Sequence, residues 1–266
     1  MNTPSPYPSP PNGGEGICSA RCAWTAFVTA MMLWLASAPV LALDGNELLR
    51  KVDRNLNPES YEMYRKLINI EPDGRKKEFV LFSVKKGREN ILALFLDPPS
   101  EKGRSTLRLG DNMWLFVPEV GKPIRITSLQ SVVGGVFNNA DILNLDYSAE
   151  YRAEKATEVQ GGYLLELKAT GPAVAYDRLK MRVDGKTLVP TEIEAYAASG
   201  LLIKTLRFKD IKDFGNGIRR PAVLETDSPL YKGYKSVMLY ANIKPRKLPD
   251  EVFTLNYMSR AEELRK

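Results

Sequence analysis

Histidine is missing from all 266 residues, and cysteine occurs only twice, at Cys18 and Cys22. The first absence excludes Ser-His-Asp and Cys-His catalysis outright. From residue 43 onward there is neither Cys nor His, which removes disulfides, thiolate ligands and the usual zinc sets, so no metal or cofactor is expected. The patterns G-x-x-x-x-G-K-[ST], G-x-G-x-x-G and G-x-S-x-G are absent, and with them a phosphate loop, a dinucleotide loop and a nucleophile elbow. Charge is lacking in one place too: no residue from Cys22 to Leu43 carries any.

That uncharged run is rich in Ala, Leu, Val and Met, and it ends in Ala-Pro-Val-Leu-Ala. Val40 and Ala42 are small residues at the spacing a signal peptidase reads, which points to export and cleavage after Ala42. Ala36 and Ala38 offer a second site, which would leave Pro39 as the first residue. The competing reading is a retained anchor, because about twenty uncharged residues just span a bilayer. Pro39 and the small residues favour cleavage. No Cys follows the run, so lipid attachment at a new N-terminus is not expected. The preceding Pro4–Gly16 stretch is Pro- and Gly-rich and carries no fold. The expected division is therefore a signal over 1–42 and one domain over 43–266. That domain has a net charge of +6 and is long enough to bury a sizeable core.

Asn46 stands where a helix cap belongs, with Leu48, Val52 and Leu56 at i, i+4, i+8 and Asn57-Pro58 as the stop. After it the period changes to two. Tyr61–Ile70 and Glu78–Val84 flank Pro72-Asp73-Gly74 and read as a hairpin. Ile91–Leu96 and Asn112–Val117 are apolar on both faces, which implies cover on both sides of the sheet. The pattern continues through Tyr163–Ala169, Tyr176–Val183, Val189–Ala197, Leu202–Ile211, Arg219–Thr226 and Lys235–Ile243. Roughly ten strands spaced by Gly-containing turns suggest one large antiparallel meander, open or closed. Between Tyr176–Val183 and Val189–Ala197, a short loop around Gly185 keeps Leu179, Met181 and Val183 opposite Ile193, Ala195 and Ala197. The same register brings Arg178 toward Glu192 or Glu194.

Ser128–Asn144 breaks the meander. It has no clean alternation, carries Gly134-Gly135, and offers Asn138 or Asn139 as the cap of a short helix through Asp141–Leu145. It reads equally as a lid over the sheet or as a buried loop on the core.

Carboxylates are the remaining route to catalysis. Glu192 and Glu194 share a strand face, but a solvated face paired with Arg178 and Lys180 explains them better. Asp141 reads as a first-turn helix residue. No enzyme is indicated. Trp114 and Phe116 share one strand face, as do Leu94 and Leu96, so they line either an acyl-sized cavity or ordinary core. Between Leu201 and Pro249 there are eleven Lys or Arg and four Asp or Glu. In an exported protein this suits anionic lipid headgroups or an acidic membrane partner, or it protects strand edges. Nucleic acid is disfavoured by the compartment.

Several motifs, in their order, carry a family resemblance. They are Gly103 before Leu107-Arg108, Trp114-Leu115-Phe116-Val117-Pro118, Arg125, and Gly134-Gly135-x-Phe137-x-x-x-Asp141-Ile142. Lys204-Thr205-Leu206 and Leu248-Pro249-Asp250-Glu251-Val252-Phe253-Thr254 complete the set. Over about residues 44–255 the chain resembles the outer-membrane lipoprotein-sorting proteins, LolA-like periplasmic carriers, in the subgroup found beside membrane transporters. The resemblance implies a mainly β fold: a single curved antiparallel sheet forming an incomplete barrel, covered by short helices and a lid loop. It implies a non-catalytic periplasmic carrier that shelters lipid or lipoprotein acyl chains in transit toward the outer membrane, with transient membrane contact and an inner-membrane transporter as a possible partner. The alternative is an accessory protein that docks on an RND-type envelope transporter and carries nothing. Leu94, Leu96, Trp114, Phe116, Val136 and Phe137 are the expected cavity and lid residues. Val132-Val133 and Ala140 make this lid more apolar and less acidic than the family pattern.

Overall fold

Asp44 opens the first helix. In the computed structural model, which describes residues 43–265, its side chain accepts the backbone N–H groups of Asn46 (2.9 Å) and Glu47 (3.1 Å). These are orphan donors of helix α1, Gly45–Leu56. Asn46, expected as the cap, instead accepts the N–H of Ala153 at 2.9 Å and ties the helix to the sheet. Leu48, Val52 and Leu56 are buried as their spacing requires, joined by Leu49. The expected signal and its cleavage point lie outside the described residues.

Thirteen strands follow. They are β1 (Ser60–Ile70), β2 (Lys76–Lys86), β3 (Asn90–Asp97), β4 (Ser105–Leu109), β5 (Asn112–Phe116), β6 (Ile124–Ile126) and β7 (Tyr151–Val159). The second group is β8 (Gly162–Ala169), β9 (Arg178–Asp184), β10 (Pro190–Tyr196), β11 (Leu202–Asp213), β12 (Arg219–Asp227) and β13 (Lys235–Pro245). All join one sheet in the order β6-β5-β4-β3-β2-β1-β13-β12-β11-β10-β9-β8-β7, an open half-barrel whose free edges are β6 and β7. Two antiparallel meanders, β1–β6 and β7–β13, are thus fused where β13 pairs with β1.

The sequence pattern misses β4, β6 and β7. Strand β7 is an edge with mostly exposed or half-buried residues, and its register shifts between Ala153 and Lys155, so no alternation survives. In the β9–β10 hairpin Met181 stands opposite Ile193 and Leu179 opposite Ala195, as expected, but Val183 meets Pro190. Arg178 sits across from Tyr196 and pairs with Glu154 at 2.5 Å on the other side, not with Glu192 or Glu194. Glu192 lies 3.7 Å from Arg182 and 3.6 Å from Arg207, and Glu194 accepts the Tyr196 hydroxyl at 2.7 Å.

Both faces of the sheet are covered over β2–β5, whereas β9 alternates exposed and buried residues and leaves its outer face to solvent. Strand β3 shows why its run is apolar throughout: Ile91, Ala93 and Phe95 pack on one side, Leu92 and Leu94 on the other. The inner face lies under α1 and the 127–150 segment. The outer face, with Phe82, Val84, Leu107 and Phe116, is sealed by Leu248 and two 3-10 stretches, Asp250–Phe253 and Leu255–Arg265. The two-sided apolar runs imply that second cover, but sequence periodicity does not show which segment supplies it, because a 3-10 segment lacks the helical repeat of apolar residues.

Candidate functional site

The topology dictates where the lid must run. The chain leaves β6 at one edge of the sheet and re-enters at β7 on the opposite edge, so residues 127–150 have to cross the whole inner face. On the way they form two single turns, α2 (Asn139–Ile142) and α3 (Tyr147–Glu150). Asn138 caps α2 with a reciprocal box: its side chain accepts the Asp141 N–H at 3.0 Å, and Asp141 accepts the Asn138 N–H at 2.9 Å. The helix stops at Ile142, short of the expected Leu145.

At the lid tip, Val133 and Gly134 both take left-handed φ values, +47° and +75°. For a β-branched residue that conformation is strained. Gly135 presses on β1 so closely that a Cβ would lie 2.0 Å from Asn69 Oδ1. A polar chain fixes the contact. The Ser236 hydroxyl donates to Asn69 Oδ1 (2.7 Å) and accepts the Val136 N–H (2.9 Å), while Asn69 Nδ2 donates to the Val133 carbonyl (3.3 Å).

Four cations rise from the inner face to hold the rest of the lid. Lys204 of β11 donates to Asp141 Oδ2 at 2.8 Å and to the Val136 carbonyl at 2.5 Å. Lys85 of β2 pairs with Asp146. Arg108 of β4 pairs with Glu150 at 2.5 Å and donates to the Leu143 carbonyl at 3.0 Å. The lid that read as poor in acid thus supplies three carboxylates, each met by its own buried cation. Burial outweighs Arg108 and raises the Glu150 carboxyl above its ordinary value. Asp53 of α1 acts as a cap in trans for α3, accepting the N–H groups of Tyr147 (2.7 Å) and Ser148 (2.9 Å).

Arg65 differs from the other three. The residue is 2% exposed, yet its partners are neutral: the Ile142 carbonyl and the Ser83 hydroxyl, both at 2.6 Å. Its Nε has no partner, and burial pulls its pKa down. A buried cation without a carboxylate is a costly arrangement for stability alone.

Beneath the lid lies a cavity of about 50 Å³. Ala140, Asp141 and Leu145 roof it, and Leu179, Ile193, Leu206 and Leu224 form its floor. That is room for one or two waters at roughly 30 Å³ each. With the lid down, the inner face is essentially filled.

The six residues expected to form one cavity and its lid are divided by the sheet. Phe137 is fully buried in the inner core and Val136 lies at the lid tip. Leu94, Leu96, Trp114 and Phe116 face the outer side, beneath the C-terminal 3-10 stretches. Period-two alternation identifies which residues share a face, but not which face the lid covers. Of the four cations, the sequence motifs include Arg108 and Lys204 without giving them a role and pass over Arg65 and Lys85, although each sits at an inward position of its strand. The basic C-terminal third is partly internal as well: besides Lys204, Arg220 is buried and donates to the Leu56 carbonyl and Asn57 Oδ1, both at 2.7 Å.

Among the described residues no group of acidic, Cys or His side chains is arranged to hold a metal, and no helix is long and apolar enough to cross a membrane. A family model described as an uncharacterized protein matches residues 87–260. No curated protein matches the chain. Among solved structures, a LolA superfamily protein of Nitrosomonas europaea is 28% identical with a TM-score of 0.73, covering 81% of this chain and all of its own. A DUF1329 family protein of Desulfovibrio piger (21%, TM-score 0.69) covers 80% of this chain and 97% of its own. A putative outer-membrane lipoprotein-sorting protein domain of Vibrio parahaemolyticus (18%, TM-score 0.68) covers 81% and 98%. The last two show likeness of fold.

Proposed function

This chain belongs to the family whose model spans residues 87–260 and has the LolA-like fold, and from that premise we propose that it is a periplasmic, non-catalytic carrier of lipid or lipoprotein acyl chains. The observation that carries the reading is how the lid is attached. Side-chain ion pairs and carbonyl bonds, rather than a strand ladder, hold residues 139–150 on the inner face. Such contacts exchange for water when the lid lifts, whereas a ladder would have to unfold. Lifting exposes the apolar floor of Leu179, Ile193, Leu206 and Leu224. Burial of acyl methylenes there, about 0.8 kcal/mol each, supplies the affinity. Phe137 and Val136 move with the lid and cover the cargo, while Arg65 favours the closed state when no cargo is present.

The test uses purified residues 43–266, which enclose both cores. The fully covered Nitrosomonas structure supports treating this segment as a folding unit. Organic extraction and mass spectrometry should recover acyl species, and a fluorescent fatty acid should compete with them. Absence of extractable lipid, together with no probe binding by the wild type or by Arg65→Met, would sink the reading.

A further inference from the structure

Three consecutive connections share one rim of the sheet. Strands β2, β1, β13, β12, β11 and β10 are neighbours, so the β1–β2 turn (71–75), the β12–β13 loop (228–234) and the β10–β11 turn (197–201) lie side by side. The first two touch: a Cβ on Gly233 would stand 3.0 Å from Pro72. The lid tip adjoins them, since Ser131, Gly134, Gly135 and Val136 share a 340 Å³ hollow with Tyr231 and Tyr234.

This rim has two properties that a solvated loop cluster does not need. First, it exposes large apolar side chains on adjacent loops: Leu201 (53%), Leu230 (49%) and Tyr231 (60%), with Tyr234 beside them. Second, Arg75, Lys76, Lys77, Lys232 and Lys235 gather there against Glu71 and Asp73. Both acids are taken up by Arg75 and Lys77. Asp227, at the end of β12, is matched by Arg207 at 3.0 Å, and Glu78 by Lys66 at 2.6 Å. Among the described residues, Lys76, Lys232 and Lys235 have no carboxylate within ion-pair distance.

Tyrosines with leucines at loop tips suit the headgroup layer, where an amphipathic ring is apolar at one end and wet at the other. Unmatched lysines around them suit anionic phosphate groups. We propose that this rim is a membrane-docking edge, which seats on an anionic phospholipid surface and places the lid tip against it. The inference needs the envelope location but not the inner-face cargo site.

The experiment is co-sedimentation of residues 43–266 with sucrose-loaded vesicles, either of phosphatidylglycerol and phosphatidylethanolamine or of phosphatidylcholine alone. Anionic vesicles should bind the protein, and neutral ones weakly. Leu230→Asp with Tyr231→Asp should cost at least tenfold in binding. Lys232→Glu with Lys235→Glu should cost roughly fivefold per cation removed and flatten the salt dependence. Leu255→Asp, at an exposed apolar site off this rim (39%), should bind as the wild type does. Unfolding curves check that each variant folds. Wild-type binding by the rim variants, or no binding to anionic vesicles by the wild type, overturns the proposal. Rim-dependent retention on envelope proteins without binding to bare vesicles also overturns it. Loss of fatty-acid uptake with vesicle binding intact would instead count against the carrier reading alone.

Discussion

Lys204 Nζ lies 2.8 Å from Asp141 Oδ2, and both side chains are only 4% exposed, so strand β11 grips lid turn α2 through an ion pair shut off from solvent. The same carboxylate accepts the Tyr176 hydroxyl at 2.9 Å and completes the α2 capping box. Removing one partner leaves the other charge buried and unmatched. Lys204→Met and Asp141→Leu should each cost about 3–5 kcal/mol in urea unfolding. The double variant should cost clearly less than their sum, with a coupling of about 0.5–3 kcal/mol in the mutant cycle. Additive losses would show that the pair does not act as a unit.

Arg65→Met should behave differently, because Arg65 has no carboxylate to strand. Global stability should fall by no more than about 1 kcal/mol, because removing a desolvated charge offsets most of the loss of the bonds to Ile142 and Ser83. Hydrogen exchange at the lid amides of 139–148 should nevertheless accelerate by about fivefold or more, the equivalent of losing one net bond of about 1 kcal/mol. Slower exchange at these amides, or a large global loss, would remove Arg65 as a latch.

Acid should act on Asp53 with an unusual sign. Burial, aided by the neighbouring Asp146 carboxylate, pushes its carboxyl up to about 6, although the Ser148 and Tyr147 bonds pull downward. The folded state therefore binds this proton more tightly than the unfolded chain, whose value is 3.8. The contribution to stability is full below about 4 and is lost as pH rises through 6. Asp53→Asn should remove a term on the order of 3 kcal/mol from the difference between pH 4 and pH 7. Unfolding of both proteins at the two pH values measures it, and parallel curves would refute it.

The two faces of the sheet should respond separately to truncation. Phe137→Ala and Phe116→Ala both open buried aromatic sites and should each cost about 3–5 kcal/mol. Only Phe137→Ala should weaken fatty-acid binding. If Phe116→Ala weakens it more, the cargo lies on the outer face.

Gly135→Ala tests the lid tip. A Cβ there displaces Asn69 and breaks its link through Ser236 to Val136. A loss of about 1–3 kcal/mol is expected. Asn69→Ala in the same chain should return part of it, because it clears the space.

Much of the architecture is legible in the chain. The spacing of Leu48, Val52 and Leu56 sets the buried face of α1, and the two-sided run Ile91–Leu96 does place β3 between two covers. The motifs from Gly103 to Thr254 anticipate the LolA-like fold. Polar edge strand β7 and the 3-10 stretches stayed hidden, because neither repeats its apolar residues at a strand or helix period.

Sequence alone determined that this chain has no histidine, no thiol beyond residue 42, and a run of alternating strands with one irregular interruption. Those facts fix local chemistry and local period, which act over a few residues. Only the tertiary structure decided that the interruption crosses the inner face from β6 to β7, and that Arg65, Lys85, Arg108 and Lys204 point up at it. Alternation says that two residues share a side. It takes the pairing of β1 with β13, strands far apart in the chain, to put β6 and β7 on opposite edges so that the lid must cross a whole face.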